Sequence, residues 1–289
     1  MAERALLITT NAPIPNRGSV TVITPTSSGL LTGLSDFWKH RSLLYVFIWR
    51  NLKVRYKQTF FGAGWTVLQP FLTTVVFTLV FGRLARVPSG GVPYPVFVFC
   101  GLLPWQFFAQ GLIRSSNSLV EERYLLTRIY VPRLILPVSA VLSGLPDFAV
   151  TFVVLLGMML HYGIAPTAAT LAVLPLLALA VATAVGASLF LSALNVRFRD
   201  VGHTIPFFTQ LWFFVTPVAY PSSLVPERWR TLYQLNPMTG VVEGFRWALV
   251  GSPEATGNAL AASVAVVALM VAAGVIYFQR VEKTFADVV

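Results

Sequence analysis

The sequence predicts an all-α integral membrane protein with six transmembrane helices, and three observations predict it. Charged residues make up 11% of the 289 and hydrophobic ones 56%, where a soluble domain carries roughly 25% charge. Six long stretches, 65–82, 94–113, 134–162, 164–196, 204–221 and 259–278, are nearly charge-free, and the shortest has 18 residues. About 20 apolar residues cross a hydrocarbon core as a helix. Lys and Arg also crowd into alternate connections: sixteen of the 21 precede the first stretch or fall in the second connection, the fourth, or the tail. Cationic loops resist translocation, so that side is cytoplasmic and both termini lie inside.

Residues 1–35, with Pro13, Pro15, Pro25 and many Ser and Thr, read as a cytoplasmic arm. They lack the uninterrupted apolar core and cleavage site of a secretory signal. Residues 36–61 (DFWKHRSLLYVFIWRNLKVRYKQTFF) place Tyr45, Ile48 and Leu52 on one helical face and Arg50, Lys53 and Lys57 on another. That pattern predicts an amphipathic helix lying in the membrane interface. Gly62 and Gly64 then permit a turn into the first span. The cations, with Arg55, either grip anionic headgroups alone or also guide an anionic lipid-linked substrate to its entrance, since both present phosphate oxygens.

The second connection, 114–133 (RSSNSLVEERYLLTRIYVPR), sets Leu125, Leu126 and Ile129 among Glu121, Glu122, Arg123, Tyr124, Arg128 and Arg133. Apolar knobs beside charges suit a docking surface for a soluble partner, the alternative being a surface helix lying on lipid. In the third span, Asp147 follows Gly144 and Pro146 and is the sole ionisable Asp, Glu, Lys or Arg within the six stretches. It is either a gate residue or a paired carboxylate at a helix break. One isolated carboxylate cannot form a proton relay.

Beyond the fifth span, Asn236 before Pro237 starts a helix, as an N-cap acceptor with proline at the first position, and Gly251 ends it. The apolar run 238–250 has 13 residues, too few to span, so it is re-entrant or interfacial. Glu243 and Arg246, three apart, would ease each other's burial there. The segment is a structural hairpin or a pore-closing gate. Trp105, Phe107, Phe108, Trp212, Phe213, Phe214 and Tyr220 fall near the ends of the second and fifth spans, beside Gln106 and Gln210. Such rings stack on sugar faces or serve as interfacial belts and packing.

Several function classes are excluded. No Gly-Lys dipeptide occurs, because the four lysines follow Trp38, Leu52, Tyr56 and Glu282, so the chain has no phosphate-binding P-loop. If ATP drives this protein, another subunit binds it. Cys100 stands alone and His40, His161 and His203 are far apart, which argues against a disulfide and a metal site. The net charge of +10 fits an anionic leaflet or substrate without calling for nucleic acid. No catalytic constellation is visible.

LKVRYKQTFFGAGWTVLQP (52–70), YPVFVFCGLLPWQFF (94–108), RIYVPRLILPVSAVLSGLPDF (128–148), LSALNVRFRDVGHTIPF (191–207) and the 216–251 stretch together resemble the ABC-2 type permeases of bacterial polysaccharide export. The likeness is greatest to the O-antigen exporter permease, with capsule and teichoic-acid permeases as relatives, and it runs from about residue 36 to 280. It implies a homodimer of six-helix subunits in the bacterial inner membrane, clamped by two copies of a P-loop ATPase that holds ATP and Mg. Residues 65–278 would form the transmembrane domain and 279–289 a cytoplasmic tail. Residues 121–133 would be the coupling helix, 226–251 the outer gate, and the cargo a polysaccharide on an undecaprenyl-diphosphate-type lipid.

Two rivals remain. A membrane glycosyltransferase or polymerase acting on a lipid-linked sugar would carry acidic catalytic residues in a sizeable loop, where this chain offers few: Glu121, Glu122, Asp200, Glu227, Glu243 and Glu254. An ion-coupled carrier would need charges inside the spans.

Overall fold

The computed structural model describes residues 30–57, 64–128, 131–252 and 257–282. The arm up to residue 29, the turn at Gly62, Ile129, Glu254 and the tail from Lys283 lie outside the described residues. Within them every regular element is helical, and the α-helices are α1 (Leu30–Lys39), α2 (Arg41–Tyr56), α3 (Gly64–Phe77), α4 (Tyr94–Glu121), α5 (Arg123–Arg128), α6 (Ile135–Leu142), α7 (Leu145–His161), α8 (Val173–Arg197), α9 (Asp200–Val215), α10 (Glu227–Gln234), α11 (Pro237–Val250) and α12 (Gly257–Glu282); a π-helical turn, Thr78–Leu84, continues α3, and Ala168–Ala172 and Ser222–Leu224 are short 3-10 turns. Five stretches are long and apolar enough to cross a membrane: Gly64–Leu84, Tyr94–Glu121, Ile135–His161, Ala168–Arg197 and Ala259–Glu282.

The stretch 204–221, expected as a span, is not a continuous helix. α9 has 16 residues, about 24 Å at 1.5 Å per residue, against a hydrocarbon core of about 30 Å. It stops because Pro217 lacks an N–H and disfavours helical geometry on the residue before it. Thr216 accordingly turns extended (φ −100°, ψ 139°), and Thr216, Pro217, Val218 and Ala219 run on buried. The helix expected at the membrane interface also divides, into α1 and α2 at His40 (φ −100°, ψ 25°), whose ring Nδ1 meets the Asp36 carbonyl at 2.8 Å. Its buried face centres on Phe47, packed against α6, while Tyr45 points outward.

α4 is the central post. It packs against α3, α6, α7, α8, α9 and α11 and is buried over most of its length. It also runs eight residues beyond 113, where the charges at 114–123 suggested an end. Tertiary packing overrides that cue: Ser115, Ser116, Ser118 and Leu119 are buried, Ser115 Oγ donates to the Pro137 carbonyl at 2.8 Å, and Asn195 Nδ2 donates to the Ser116 carbonyl at 3.0 Å. Arg114 therefore lies inside a membrane-length helix rather than in a connection.

The third stretch breaks where Gly144 and Pro146 suggested. α6 ends at Leu142, and Ser143–Gly144 turn the chain into α7. A Cβ at Gly144 would lie 2.9 Å from an Arg114 guanidinium nitrogen, so the turn and the Arg114 side chain are closely packed. α8 and α12 cross closer still: a Cβ on Gly274 would sit 2.4 Å from the Gly186 carbonyl oxygen. Small residues at such crossings let membrane helices gain contact where the hydrophobic effect supplies none.

Candidate functional site

α2 packs against α6, and two of its arginines tie it to the end of α4 and the start of α7. Arg50 forks onto Glu122, with Nη1 to Oε2 at 3.1 Å and Nη2 on Oε1, and its guanidinium stands over the Phe47 ring at 4.8 Å. One turn later Arg55 pairs with Asp147 and donates to Ser143 Oγ at 3.0 Å. The Tyr56 hydroxyl donates to the same carboxylate. Burial, and then this bond, hold the Tyr56 phenol above its ordinary pKa, so it remains the donor. Of the two readings of Asp147, the structure gives the paired carboxylate. Lys53 and Lys57 are exposed.

Two open spaces meet behind these pairs, one of about 370 Å³ and one of about 200 Å³, and Arg55 and Arg114 line both. The first is walled by Arg50, Asn51, Glu121, Glu122, Ser118 and Ser139. The second reaches between the spans and is walled by polar stripes at helical spacing on three elements. These are Thr66 and Gln69 on α3, Gln106, Gln110 and Arg114 on α4, and Asp147 and Thr151 on α7, interleaved with Trp65, Phe107 and Phe148. The sequence reading missed Arg114, Gln69 and Gln110 as site residues. The recurrence of Gln106, Gln110 and Arg114 at every fourth position was the available signal.

The residues expected to couple to an ATPase gather at the same end. α5 follows α4 after one non-helical residue, Glu122 (φ −96°, ψ 18°). Tyr124, Glu121 and Arg128 are exposed, and Arg123 stacks on the Tyr124 ring at 4.9 Å. Arg133 instead donates to the Glu282 backbone carbonyl, tying the end of this segment to α12.

The aromatics expected on a sugar path split into two groups. Trp105, Phe107 and Phe108 are buried within the chain. They pack against α7 and α9, with Phe107 to Phe148 at 6.0 Å, Trp105 to Phe213 at 5.6 Å and Phe108 to Trp212 at 5.0 Å between ring centroids. Phe214 is exposed, together with Phe207, Phe208 and Leu211 on the same helix. Tyr220 belongs to the other end of the bundle, where its hydroxyl donates to the Phe214 carbonyl at 2.7 Å.

At that other end, the local rules of the sequence hold. Asn236 Oδ1 accepts from the Met238 N–H at 3.1 Å with Pro237 at the first helical position, and Gly251 closes α11 in the left-handed conformation (φ 68°). Asn236 also accepts from Trp212 Nε1 at 3.0 Å and donates to Thr216 Oγ1 at 2.9 Å, so one cap pins α11 to the end of α9. Glu243 and Arg246 are both buried. Arg246 reaches the carbonyls of Phe97 (3.3 Å), Tyr220 (3.4 Å) and Val218 and lies 3.7 Å over the Phe97 ring. Its fork thereby holds the non-helical segment after α9 against α4. Tyr233, on α10, donates to the Tyr220 hydroxyl at 3.2 Å, and burial followed by that bond raises its pKa.

Residues 42–250 match the model of the ABC-2 type transporter family. The chain is 32% identical over 258 residues to the O-antigen export system permease protein RfbA of Myxococcus xanthus, covering 87% of this chain and 97% of that one. It is 30% identical over 205 residues to a protein of the same description from Klebsiella pneumoniae, covering 71% and 78%. To the polysialic acid transport protein KpsM of Escherichia coli it is 21% identical over 219 residues, covering 70% and 78%.

Proposed function

Because the chain belongs to the ABC-2 type transporter family, we propose that it is the membrane-spanning permease subunit of an ATP-driven polysaccharide exporter, of O-antigen type, in the bacterial inner membrane. The observation that carries this reading is the likeness to an O-antigen export permease over nearly the whole of both chains. The subunit is not itself the enzyme. It offers no Gly-Lys for a P-loop, so ATP and Mg are held by two copies of a separate ATPase.

The working unit is a homodimer. α3 and the π-helical turn that continues it (Thr78–Leu84) present Phe71, Leu72, Val75, Val76, Leu79 and Val80 outward, and α9 presents Phe207, Phe208, Leu211 and Phe214. The two faces are bridged by the Phe77–Phe213 stack at 5.6 Å. Uncovered apolar and aromatic faces on adjacent helices suit a second copy, and the exposed rings between the copies give a sugar chain position-tolerant contacts. Trp105, Phe107, Phe108, Trp212 and Phe213 back that surface and keep it rigid. α9, completed by the largely buried segment 216–221, makes the sixth crossing. Non-helical backbone at such depth is tolerated where protein buries it. Both termini are then cytoplasmic, as the distribution of Lys and Arg requires.

α5 is the coupling helix, with Tyr124 and Arg128 turned toward the ATPase. The helices α10 and α11 close the outer end, and α2 lies at the inner interface. Arg50 and Arg55 tie α2 to the spans, while the exposed Lys53 and Lys57 attract the diphosphate of an undecaprenyl-linked cargo. The test is deletion of the gene in its native host. Loss of surface polysaccharide with accumulation of lipid-linked polymer inside is the expected result. Unchanged surface polysaccharide would refute the proposal.

A further inference from the structure

We propose that Arg114, beside Arg55, forms an oxyanion site between α3, α4 and α7 that takes the diphosphate of the lipid carrier as it enters the membrane layer. The inference rests on the export reading above and adds to it a binding site. Arg114 occupies the point where the two open spaces meet. Its Nε is closed to solvent and has no hydrogen-bond partner among the described residues. An N–H closed off from water without a partner is costly, and a partly buried guanidinium favours an anion beside it. Arg50 and Arg55, which share its walls, each have a carboxylate. Within the deeper space, Arg55 and Arg114 face the single carboxylate of Asp147, which leaves one positive charge over. Glu121, which is exposed, and the Arg50–Glu122 pair line the first space, which Arg114 also borders, and not the second.

The surroundings favour a phosphate over a carboxylate of the protein. A planar guanidinium matches phosphate oxygens two at a time. The deeper space continues past Arg114 along Gln106 and Gln110 toward Gln69, neutral amides that can bond to sugar hydroxyls without competing for the anion. Trp65, Phe107 and Phe148 line the same space and offer ring faces to a sugar. A diphosphate at Arg114 would thus leave its first sugar among amides and rings, while its lipid tail stays in the hydrocarbon outside α3. The Asp147–Arg55 pair supplies a second cation that can turn from Asp147 to the arriving phosphate.

The test uses the full chain with its ATPase in nanodiscs of neutral lipid, with farnesyl diphosphate as the probe and binding read by tryptophan fluorescence. Saturable binding is expected for farnesyl diphosphate and none for farnesol. Inorganic diphosphate should compete, and its failure to do so would mean that the tail carries the binding and would overturn the site. Arg114→Gln should weaken binding by about tenfold or more, the effect of one lost charge-assisted bond, and Arg114→Lys by less. Unchanged affinity in Arg114→Gln, with an unchanged melting profile, would overturn the proposal. If that variant does not assemble, Arg114→Lys decides: an affinity equal to the parent's overturns the site, and a weakened one supports it. Displacement of the probe by an equimolar amount of phosphatidylglycerol would assign the site to bulk headgroups and also overturn it. Surface polysaccharide is measured in parallel. Export by the parent chain with no change in Arg114→Gln refutes the site alone, whereas no export by the parent refutes the exporter reading.

Discussion

The Arg55–Asp147 pair makes a quantitative prediction. The two side chains are 24% and 18% exposed, and Asp147 also accepts from Tyr56. Replacing Asp147 with Asn removes the charge but keeps the shape, leaving a largely buried guanidinium with Ser143 as its remaining hydrogen-bond partner among the described residues. Breaking a fully buried pair costs about 3–5 kcal/mol. With roughly a fifth to a quarter of each side chain in water, about 2–3 kcal/mol is expected. Arg55→Met should cost a similar amount by stranding the carboxylate. The double variant strands neither charge, so it should cost less than the two single changes together, with a coupling of about 1.5 kcal/mol or more. The single cysteine provides the assay: Cys100 is fully buried, so a thiol-reactive fluorophore reports only molecules that have opened. The two single variants should label at lower temperature than the parent, and the double variant should recover part of the loss. Additive effects, within about 0.5 kcal/mol, would refute the claim that this pair fastens α2 to α7.

Gly274→Ala places a methyl 2.4 Å from the Gly186 carbonyl oxygen and should cost about 1–3 kcal/mol by forcing α8 and α12 apart. An unchanged Cys100 labelling profile would contradict that packing. Arg246→Lys keeps the charge but loses the fork that reaches three carbonyls. We expect a loss of about 2 kcal/mol and faster proteolysis near 216–221, with parental cleavage rates as the contrary result. Arg128→Glu on exposed α5 should leave membrane insertion and melting unaltered while reducing ATPase co-purification. Normal capture of the ATPase would remove Arg128 from the docking surface.

What was legible in the sequence was local. Asn236, Pro237 and Gly251 read correctly because a cap is decided within four or five residues. The break before α7 was foreshadowed by Gly144 and Pro146 for the same reason. The end of α4 was not legible: Arg114 and the charges at 121–123 look like a connection, and only contacts with Pro137 and Asn195 show that the intervening serines are buried. That error hid Arg114, since a cation counted as part of a loop is not examined as one facing a cavity. The partners of Arg50 and Arg55 lie 72 and 92 residues away in the chain, and no periodicity links them. The stretch 204–221 is apolar enough for a span, but Pro217 ends its helix at Val215 and the rest continues as non-helical backbone, which hydrophobicity alone does not show.

The central claim is tested most directly by capturing the tagged chain from detergent-solubilised native membranes and measuring ATP hydrolysis in the captured material. The account predicts a co-purifying P-loop subunit whose hydrolysis is lost when 121–133 is disrupted. A chain that comes down alone, with no associated ATPase, would contradict it.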